Sequence, residues 1–174
     1  MTTAQLHKEL DIILVGASQM SEDYLKVLLS LGVGPTVVCR KETSARTFYK
    51  NTNFIAQHGD LQTILDLKET SFNMAIVAVD IENLSSVTEM LILSGIKKIL
   101  IEKPGGISTE EINYLDDIAN LNNSELLIAY NRRFYSSTQK AREIIEGDGG
   151  VSSFHFEFTE WSHVIENITK STNV

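Results

Sequence analysis

The fold of this protein is decided by residues 11–21, which read Asp11-Ile12-Ile13-Leu14-Val15-Gly16-Ala17-Ser18-Gln19-Met20-Ser21. The apolar run in this stretch is short and unbroken, which is typical of a strand buried on both faces in a parallel sheet. Gly16 ends the run, and a helix with acidic residues in its first turn is predicted to begin at Ser21. The stretch therefore predicts a strand, a tight turn and a helix in succession.

The same alternation of strand and helix continues along the chain. Helices fill the segments between five further apolar runs, which predict strands at residues 36–39, 54–56, 74–79, 98–101 and 126–129. Six buried strands that alternate with helices imply right-handed crossover connections. The sequence therefore predicts an α/β fold with a doubly wound parallel sheet, the Rossmann type.

Two helices carry more detailed signals. The first is predicted to turn Tyr24, Leu28 and Leu31 toward the sheet, because these residues recur at helical spacing. Another is predicted to begin after Ser108, where Ser108 and Glu111 have the spacing of a capping box.

Composition excludes several classes of protein. The 174 residues carry a net charge of −8, which argues against a nucleic-acid partner and against binding an anionic membrane surface. No apolar run approaches the roughly 20 residues of a membrane helix. The single cysteine, Cys39, excludes an internal disulfide, and no His, Cys, Asp or Glu set has metal-ligand spacing. We therefore expect a cytoplasmic protein without a metal site.

The pattern changes near residue 135. Residues 1–134 form the predicted Rossmann domain, and residues 135–174 contain a connecting helix, a glycine-rich break and an alternating segment at 151–161. Phe154, Phe156 and Phe158 share one face of that segment, which is typical of a half-buried antiparallel strand. We interpret it as the truncated start of a second, α+β domain. Its unpaired edge predicts a homo-oligomer that forms through this strand.

The turn after the first strand is a candidate dinucleotide site. The usual fingerprint is G-x-G-x-x-G/A, of which only Gly16 is present, while Ser18 and Ser21 replace the later glycines. Serine is still small enough for a pyrophosphate to approach the amide groups of the helix N-terminus. The alternative is a plain tight turn. The predicted contacts are Gly16, Ala17, Ser18, Gln19 and Met20.

The end of the second strand bears on the choice of cofactor. A site that prefers NAD places an acidic residue there, to bind the ribose hydroxyls. This sequence has Arg40 and Lys41 instead, and Arg40 lies 24 residues after Gly16. Two cations suit the 2′-phosphate of NADP, which is the preferred cofactor of this prediction, with NAD as the alternative. A solvated basic loop without a cofactor role is the other interpretation.

Further candidates follow the later strands, whose carboxyl ends line the ligand crevice of an open α/β sheet. Val79, Glu102, Lys103 and Asn131 are predicted cofactor contacts on this ground. Lys103 could also donate a proton to a substrate oxygen. In isolation, each of these segments also fits an ordinary charged loop at the end of a strand.

Together these features resemble the family of glucose–fructose oxidoreductases, inositol dehydrogenases and rhizopine-catabolism proteins, abbreviated Gfo/Idh/MocA. Four features match in order, over residues 11–161. They are the turn at Gly16, the triplet Glu102-Lys103-Pro104, the segment Asn131-Arg132-Arg133-Phe134, and the amphipathic strand after Gly149-Gly150.

The resemblance implies an NAD(P)-dependent oxidoreductase that transfers a hydride to or from a sugar-like, cyclitol or nucleotide-sugar substrate. It assigns the catalytic role to Lys103, near the nicotinamide and the substrate, and implies that the peptide bond before Pro104 is often cis. It also implies a substrate domain that forms the dimer.

One departure from the family concerns its aspartate-x-x-x-histidine segment, which supplies a proton-transferring histidine and is not found in this sequence. We therefore expect the chain to be the cofactor-binding part of a longer enzyme, inactive by itself. The alternatives are a non-catalytic nucleotide-binding regulatory protein of the same fold and one subunit of a split enzyme.

Overall fold

The computed structural model describes residues 10–67, 72–155 and 157. The chain divides into two compact units, and the boundary in the sequence falls between Tyr130 and Asn131. The strands of the first unit are β1 (Ile12–Val15), β2 (Thr36–Cys39), β3 (Ala56–His58), β4 (Met74–Val77), β5 (Lys98–Ile101) and β6 (Glu125–Ile128). Its helices are α1 (Gln19–Ser30), α2 (Glu42–Thr52), α3 (Leu61–Leu67), α4 (Ile81–Leu93) and α5 (Thr109–Asn122). The second unit contains a 3₁₀ turn (Asn131–Phe134) and α6 (Ser136–Gly147).

All six strands belong to one parallel sheet in the order β3-β2-β1-β4-β5-β6. The central strand β1 pairs with β2 on one side and with β4 on the other, so that Leu14 lies between Val37 and Ile76. The chain thus adds β2 and β3 on one side of β1, and then β4, β5 and β6 on the other side. This confirms the doubly wound sheet and places its topological switch point between β1 and β4.

The core has two layers, one on each face of the sheet. Successive residues of a strand point to opposite faces. Ile13 and Val15 accordingly pack in one buried cluster with Leu91 of α4, whereas Leu14 packs in the other with Phe48 of α2. Because β1 is buried on both faces, it tolerates no polar residue, which explains its unbroken apolar run.

The interior face of α1 differs from the prediction. Leu25 and Leu28 are buried and Tyr24 is half-buried, but Leu31 is 55% exposed. The last helical residue is Ser30, and Leu31 is the capping residue beyond it, where the helical spacing no longer applies. The prediction was therefore wrong for Leu31.

The third strand begins two residues later than predicted. Asn53 ends α2 in a left-handed conformation with φ of +57°, and the next two residues, Phe54 and Ile55, belong to no helix or strand. Pairing with β2 starts only at Ala56, opposite Val37. Phe54 still packs against the core, which accounts for its apolar character in the sequence.

The tail after α6 differs in part from the prediction. Residues 151–155 and 157 are not part of a strand within this chain, and Phe154 is 87% exposed. A strand requires a neighbour to pair with, and the described residues offer this segment none. Phe156 and residues 158–161 lie outside the described residues, so the second domain and the predicted homo-oligomer stay predictions. No helix in the described ranges is long and apolar enough to span a membrane.

Ser108 caps α5 as predicted, although Glu111 reaches the Ile107 amide and not that of Ser108, so the capping box is incomplete, and the cap leads to a first prediction. The Glu111 amide donates to Ser108 Oγ at 3.2 Å, and the Glu111 carboxylate accepts from the Ile107 amide at 2.9 Å. Ser108→Ala should lower the free energy of unfolding by about 1 kcal/mol, because it leaves that amide without its acceptor, whereas Ser108→Gly should cost only a few tenths. Urea unfolding followed by circular dichroism measures both. Equal stability of the alanine variant and the unaltered chain would show that the cap contributes nothing.

Candidate nucleotide-binding site

A cleft of about 450 Å³ lies in the first unit, at the carboxyl ends of β1, β2, β3 and β4. Its walls consist of residues 15–18, 38–41, 59–61 and 78–80, together with positions 44, 83, 86, 87 and 90. This is the crevice at the topological switch point, where ligands bind in open α/β sheets. The sequence-predicted residues that line it are Gly16, Ala17, Ser18, Arg40, Lys41 and Val79.

The floor of the cleft depends on Gly16. Its φ is +124°, and a Cβ atom at this position would lie 2.1 Å from the carbonyl oxygen of Ala78. The Gly16 amide also donates to the Val38 carbonyl at 2.8 Å. The turn between β1 and α1 therefore lies directly against the end of β4, which only a residue without a side chain permits.

The two serines that replace fingerprint glycines hold this turn together. Ser21 is fully buried, its hydroxyl accepts from the Ser18 amide at 3.3 Å, and it makes a long hydrogen bond of 3.4 Å to the Ala78 carbonyl. Ser18 Oγ lies 3.5 Å from the same carbonyl oxygen. Ser21 is thus small enough to permit close packing of helix and strand at the third fingerprint position, and its hydroxyl is satisfied there.

The N-terminus of α1 opens at this turn. The first amide groups of a helix have no intrahelical acceptor, and the helix dipole makes this end favourable for an anion. Ser18 is the capping residue, and Gln19 and Met20 form the exposed first turn. Gln19 and Met20 are not among the residues of the cleft wall, so their cofactor role stays a prediction.

The wall contributed by β2 and α2 is basic. Arg40 and Lys41 follow β2, are exposed and line the cleft, and Ser44 in the first turn of α2 lines it beside them. Cys39 precedes them as a buried packing residue of the core, and burial raises the pKa of its thiol.

Two acidic residues also line the cleft, but neither follows β2. Asp60 directly precedes α3, and its carboxylate accepts from the Thr63 amide at 2.9 Å and from the Thr63 hydroxyl at 3.0 Å. These hydrogen bonds hold the pKa of Asp60 below its usual range. Asp80 is the capping residue at the start of α4. Asp60 is therefore engaged by its own helix.

Sequence reasoning missed the wall that α4 contributes. Asn83, Ser86, Val87 and Met90 all line the cleft. Their spacing of three, four and seven residues places them on one face of the helix. That spacing, directly after a buried strand, was the signal available in the sequence. That signal is masked because Leu84, Val87 and Leu91 also indicate the neighbouring, core-facing stripe.

Glu102 and Lys103 lie beyond the end of β5 and are not part of the cleft wall. The Tyr24 hydroxyl donates to Glu102 Oε1 at 2.5 Å, and Lys103 is exposed. The Lys103–Pro104 peptide bond is cis, as the resemblance implied. The Tyr130 hydroxyl donates to the Pro104 carbonyl at 3.3 Å. The cofactor roles of Glu102 and Lys103 stay predictions.

Asn131 belongs to the second unit, where it begins the exposed 3₁₀ turn. In the same turn the guanidinium of Arg133 lies 5.2 Å from the centre of the Phe134 ring. The predicted contact of Asn131 with a cofactor stays a prediction. Across the described residues, no group of three His, Cys, Asp or Glu side chains is arranged to hold a metal ion.

Comparison with known proteins gives structural similarity without sequence similarity. No protein-family model matches the sequence, and no curated protein matches it significantly. GenD2 from gentamicin A biosynthesis, solved in complex with NAD, is 21% identical with a TM-score of 0.71, over 84% of this chain and 41% of its own. The WlbA dehydrogenase from Bordetella pertussis, solved with NADH and UDP-GlcNAcA, is 13% identical with a TM-score of 0.71, over 79% of this chain and 42% of its own.

A third solved structure is a protein from Desulfitobacterium hafniense that is named as an NADPH-dependent oxidoreductase. It is 19% identical with a TM-score of 0.69, over 80% of this chain and 40% of its own. The chain thus spans about 40% of the length of these three proteins. Over that length it has their Rossmann-type fold.

Proposed function

We propose that this chain is the dinucleotide-binding domain of an NAD(P)-dependent oxidoreductase of the Gfo/Idh/MocA family. The observation that carries the proposal is the cleft at the switch point of the sheet, whose floor is the glycine turn that opens α1. Solved structures with the same fold include GenD2 in complex with NAD and the WlbA dehydrogenase in complex with NADH. The four sequence features that resemble the family support the same assignment.

The residues present fit a dinucleotide. The first turn of α1 offers amide groups and the positive end of a helix dipole to a pyrophosphate, and Gly16 carries no side chain that would hinder its approach. Leu61, Val87 and Met90 provide apolar surface for an adenine ring. The cleft is thus both anion-binding and partly apolar, as a nucleotide requires.

We propose NADP as the preferred cofactor, with Arg40 and Lys41 as the residues that bind its 2′-phosphate. Guanidinium groups bind phosphate through paired charge-assisted hydrogen bonds. NAD enzymes bind the ribose with an aspartate. The aspartate of this cleft that could be compared with it, Asp60, already accepts a hydrogen bond from an amide in the first turn of α3. One structural neighbour is named as NADPH-dependent and others were solved with NAD or NADH, so the basic pair is the main support for this preference.

The substrate proposed for the complete enzyme is a sugar-like, cyclitol or nucleotide-sugar alcohol or carbonyl compound. WlbA, a structural neighbour, was solved with the nucleotide sugar UDP-GlcNAcA. The nicotinamide, when bound, accepts or supplies the hydride. Lys103, exposed on its loop beyond β5, is the residue of this chain proposed to donate a hydrogen bond or proton to the substrate oxygen.

The proposed dinucleotide binding can be tested by adding a negative charge at the N-terminus of α1. Ser18→Asp preserves a good capping residue but sets a carboxylate where the pyrophosphate is expected. The variant should bind NADPH and NADH about tenfold more weakly or worse, because like charges at this distance repel. Titration of NADPH and NADH fluorescence measures both affinities.

Ser30→Asp is the matched control, since Ser30 is exposed at the other end of α1 and the change in charge is the same. It should leave both affinities within about twofold, since exposed charges more than about 10 Å apart are screened. If the unaltered, folded chain binds neither nucleotide at millimolar concentration, the proposed function is wrong. Equal effects of the two variants would place the nucleotide elsewhere.

A further inference from the structure

The loop that carries Lys103 is held by contacts from several directions. The Glu102 amide donates to the Val77 carbonyl of β4 at 2.9 Å, and the Gly105 amide closes the turn on the Glu102 carbonyl at 3.0 Å. The Tyr130 hydroxyl reaches the Pro104 carbonyl. The Tyr24 hydroxyl adds a hydrogen bond to the Glu102 carboxylate. Tyr24 belongs to α1 and lies 78 residues before Glu102 in the chain.

The bond between Tyr24 and Glu102 has the geometry of a strong, charge-assisted hydrogen bond. The O–O distance of 2.5 Å is at the short end of the range for a hydroxyl that donates to a carboxylate. Both residues are half-buried, so neither group is fully solvated. Burial and the Glu102 carboxylate raise the pKa of Tyr24, which keeps its hydroxyl protonated and able to donate.

The helix that provides this bond is the one that begins at the dinucleotide turn. Ser18 caps α1, and Tyr24 lies six residues further along the same helix. A rigid helix therefore joins the proposed pyrophosphate site to the Lys103 loop. In an α/β sheet of this order, the second mononucleotide lies on the β4–β6 side, which is the side of this loop.

A second phenol–carboxylate pair shows which features distinguish Tyr24. The Tyr114 hydroxyl donates to Glu89, but this pair joins α5 to α4, and neither residue lines the cleft or belongs to the Lys103 loop. The chemistry of the two pairs is the same. Their positions relative to the candidate site differ, so Tyr114 provides a matched control.

We propose that Tyr24 is a positioning residue: its hydroxyl fixes Glu102 and thereby the loop that presents Lys103 to the nicotinamide half of a bound dinucleotide. This inference rests on the proposed function. It assigns Tyr24 no contact with the adenosine half, whose proposed site is the cleft. Loss of the hydroxyl should therefore affect the two halves of the cofactor differently.

The test compares Tyr24→Phe with Tyr114→Phe, using NADPH and adenosine 2′,5′-bisphosphate, the adenosine half of NADP, as ligands in calorimetric titrations. Tyr24→Phe should weaken NADPH binding about threefold to tenfold. This range corresponds to the loss of one hydrogen bond to a charged group, when only part of its free energy affects ligand binding. Binding of the bisphosphate should stay within about twofold, because its contacts lie in the cleft. Tyr114→Phe should change neither affinity.

A double-mutant cycle and a measurement without ligand complete the test. In a Lys103→Ala background, Tyr24→Phe should weaken NADPH binding less than about twofold, because the group that it positions is gone. In the free protein, Tyr24→Phe should also accelerate hydrogen exchange of the Gly105 amide, and Tyr114→Phe should not.

The outcomes separate this inference from the proposed function. If the unaltered chain binds neither NADPH nor the bisphosphate, both are overturned. If it binds them, but Tyr24→Phe weakens both equally, weakens neither, or acts as strongly without Lys103, only the role of Tyr24 is overturned.

Discussion

Gly16→Ala is expected to lower the free energy of unfolding by about 3–5 kcal/mol and to abolish nucleotide binding. Two costs combine: a backbone conformation that alanine adopts only under strain, about 1–3 kcal/mol, and a steric overlap of similar cost. The overlap is with the backbone carbonyl of Ala78, 2.1 Å from the new Cβ, and Ala78 is a buried residue directly after β4 whose amide is bonded to the Val15 carbonyl. A domain of this size has about 5–15 kcal/mol in total, so the variant should be marginal.

Gly95→Ala separates the two costs. Gly95 also has a positive φ, +92°, but among the described residues other than its chain neighbours no atom lies within 4 Å of the position that its Cβ would take. This control should lose only about 1–2 kcal/mol, from backbone strain alone. Denaturant unfolding of both variants, with NADPH titration of whatever remains folded, makes the comparison. A Gly16→Ala variant no less stable than Gly95→Ala would show that the turn does not lie against β4.

Arg40→Asp is expected to weaken NADPH binding by about tenfold to a hundredfold and to leave NADH within a fewfold of its original affinity. The substitution removes a charge-assisted contact with the 2′-phosphate, worth about 1.5–3 kcal/mol, and adds repulsion. NADH lacks this phosphate, and an aspartate after β2 is the residue that binds the ribose hydroxyls in NAD sites. The preference should therefore shift from NADPH toward NADH.

Arg46→Asp is the control for Arg40→Asp. Arg46 lies on α2 and pairs with Glu42 at 2.7 Å on the exposed surface, so the change in net charge is the same but the cleft wall is untouched. Exposed pairs of this kind contribute little to stability. If the two variants lower NADPH affinity equally, Arg40 acts only through the overall field. If the unaltered chain binds NADH as tightly as NADPH, the proposed NADP preference is wrong.

The fold could be predicted because each strand carries its own signal. In β1, β2, β4 and β5 both faces are covered, so their apolar runs are unbroken and locate them within a residue or two. Where a local conformation sets the boundary, the prediction failed: Asn53 delays β3, and the end of α1 at Ser30 leaves Leu31 exposed.

The candidate site could be predicted only where it depends on adjacent residues. The glycine turn and the basic pair after β2 stand out because their roles follow from one strand end. The hydrogen bond between Tyr24 and Glu102 joins residues 78 apart, and no residue next to Tyr24 in the sequence indicates that it has this partner. The α4 wall was hidden for a different reason, because Val87 belongs both to the stripe that packs on the core and to the face that lines the cleft.

The central claim, that this chain binds a dinucleotide in the cleft formed by β1–β4, is tested most directly by the amide chemical shifts of the isotope-labelled protein during titration with NADPH. We expect saturable shifts at the segments that line the cleft, residues 16–18, 40–41, 59–61 and 78–80, and at the loop that carries Lys103, where the nicotinamide half is proposed to lie. The core strands should stay unchanged, which shows that the fold is intact. Unchanged shifts at millimolar NADPH and NADH in a folded sample, or shifts confined to other surfaces, would contradict the claim.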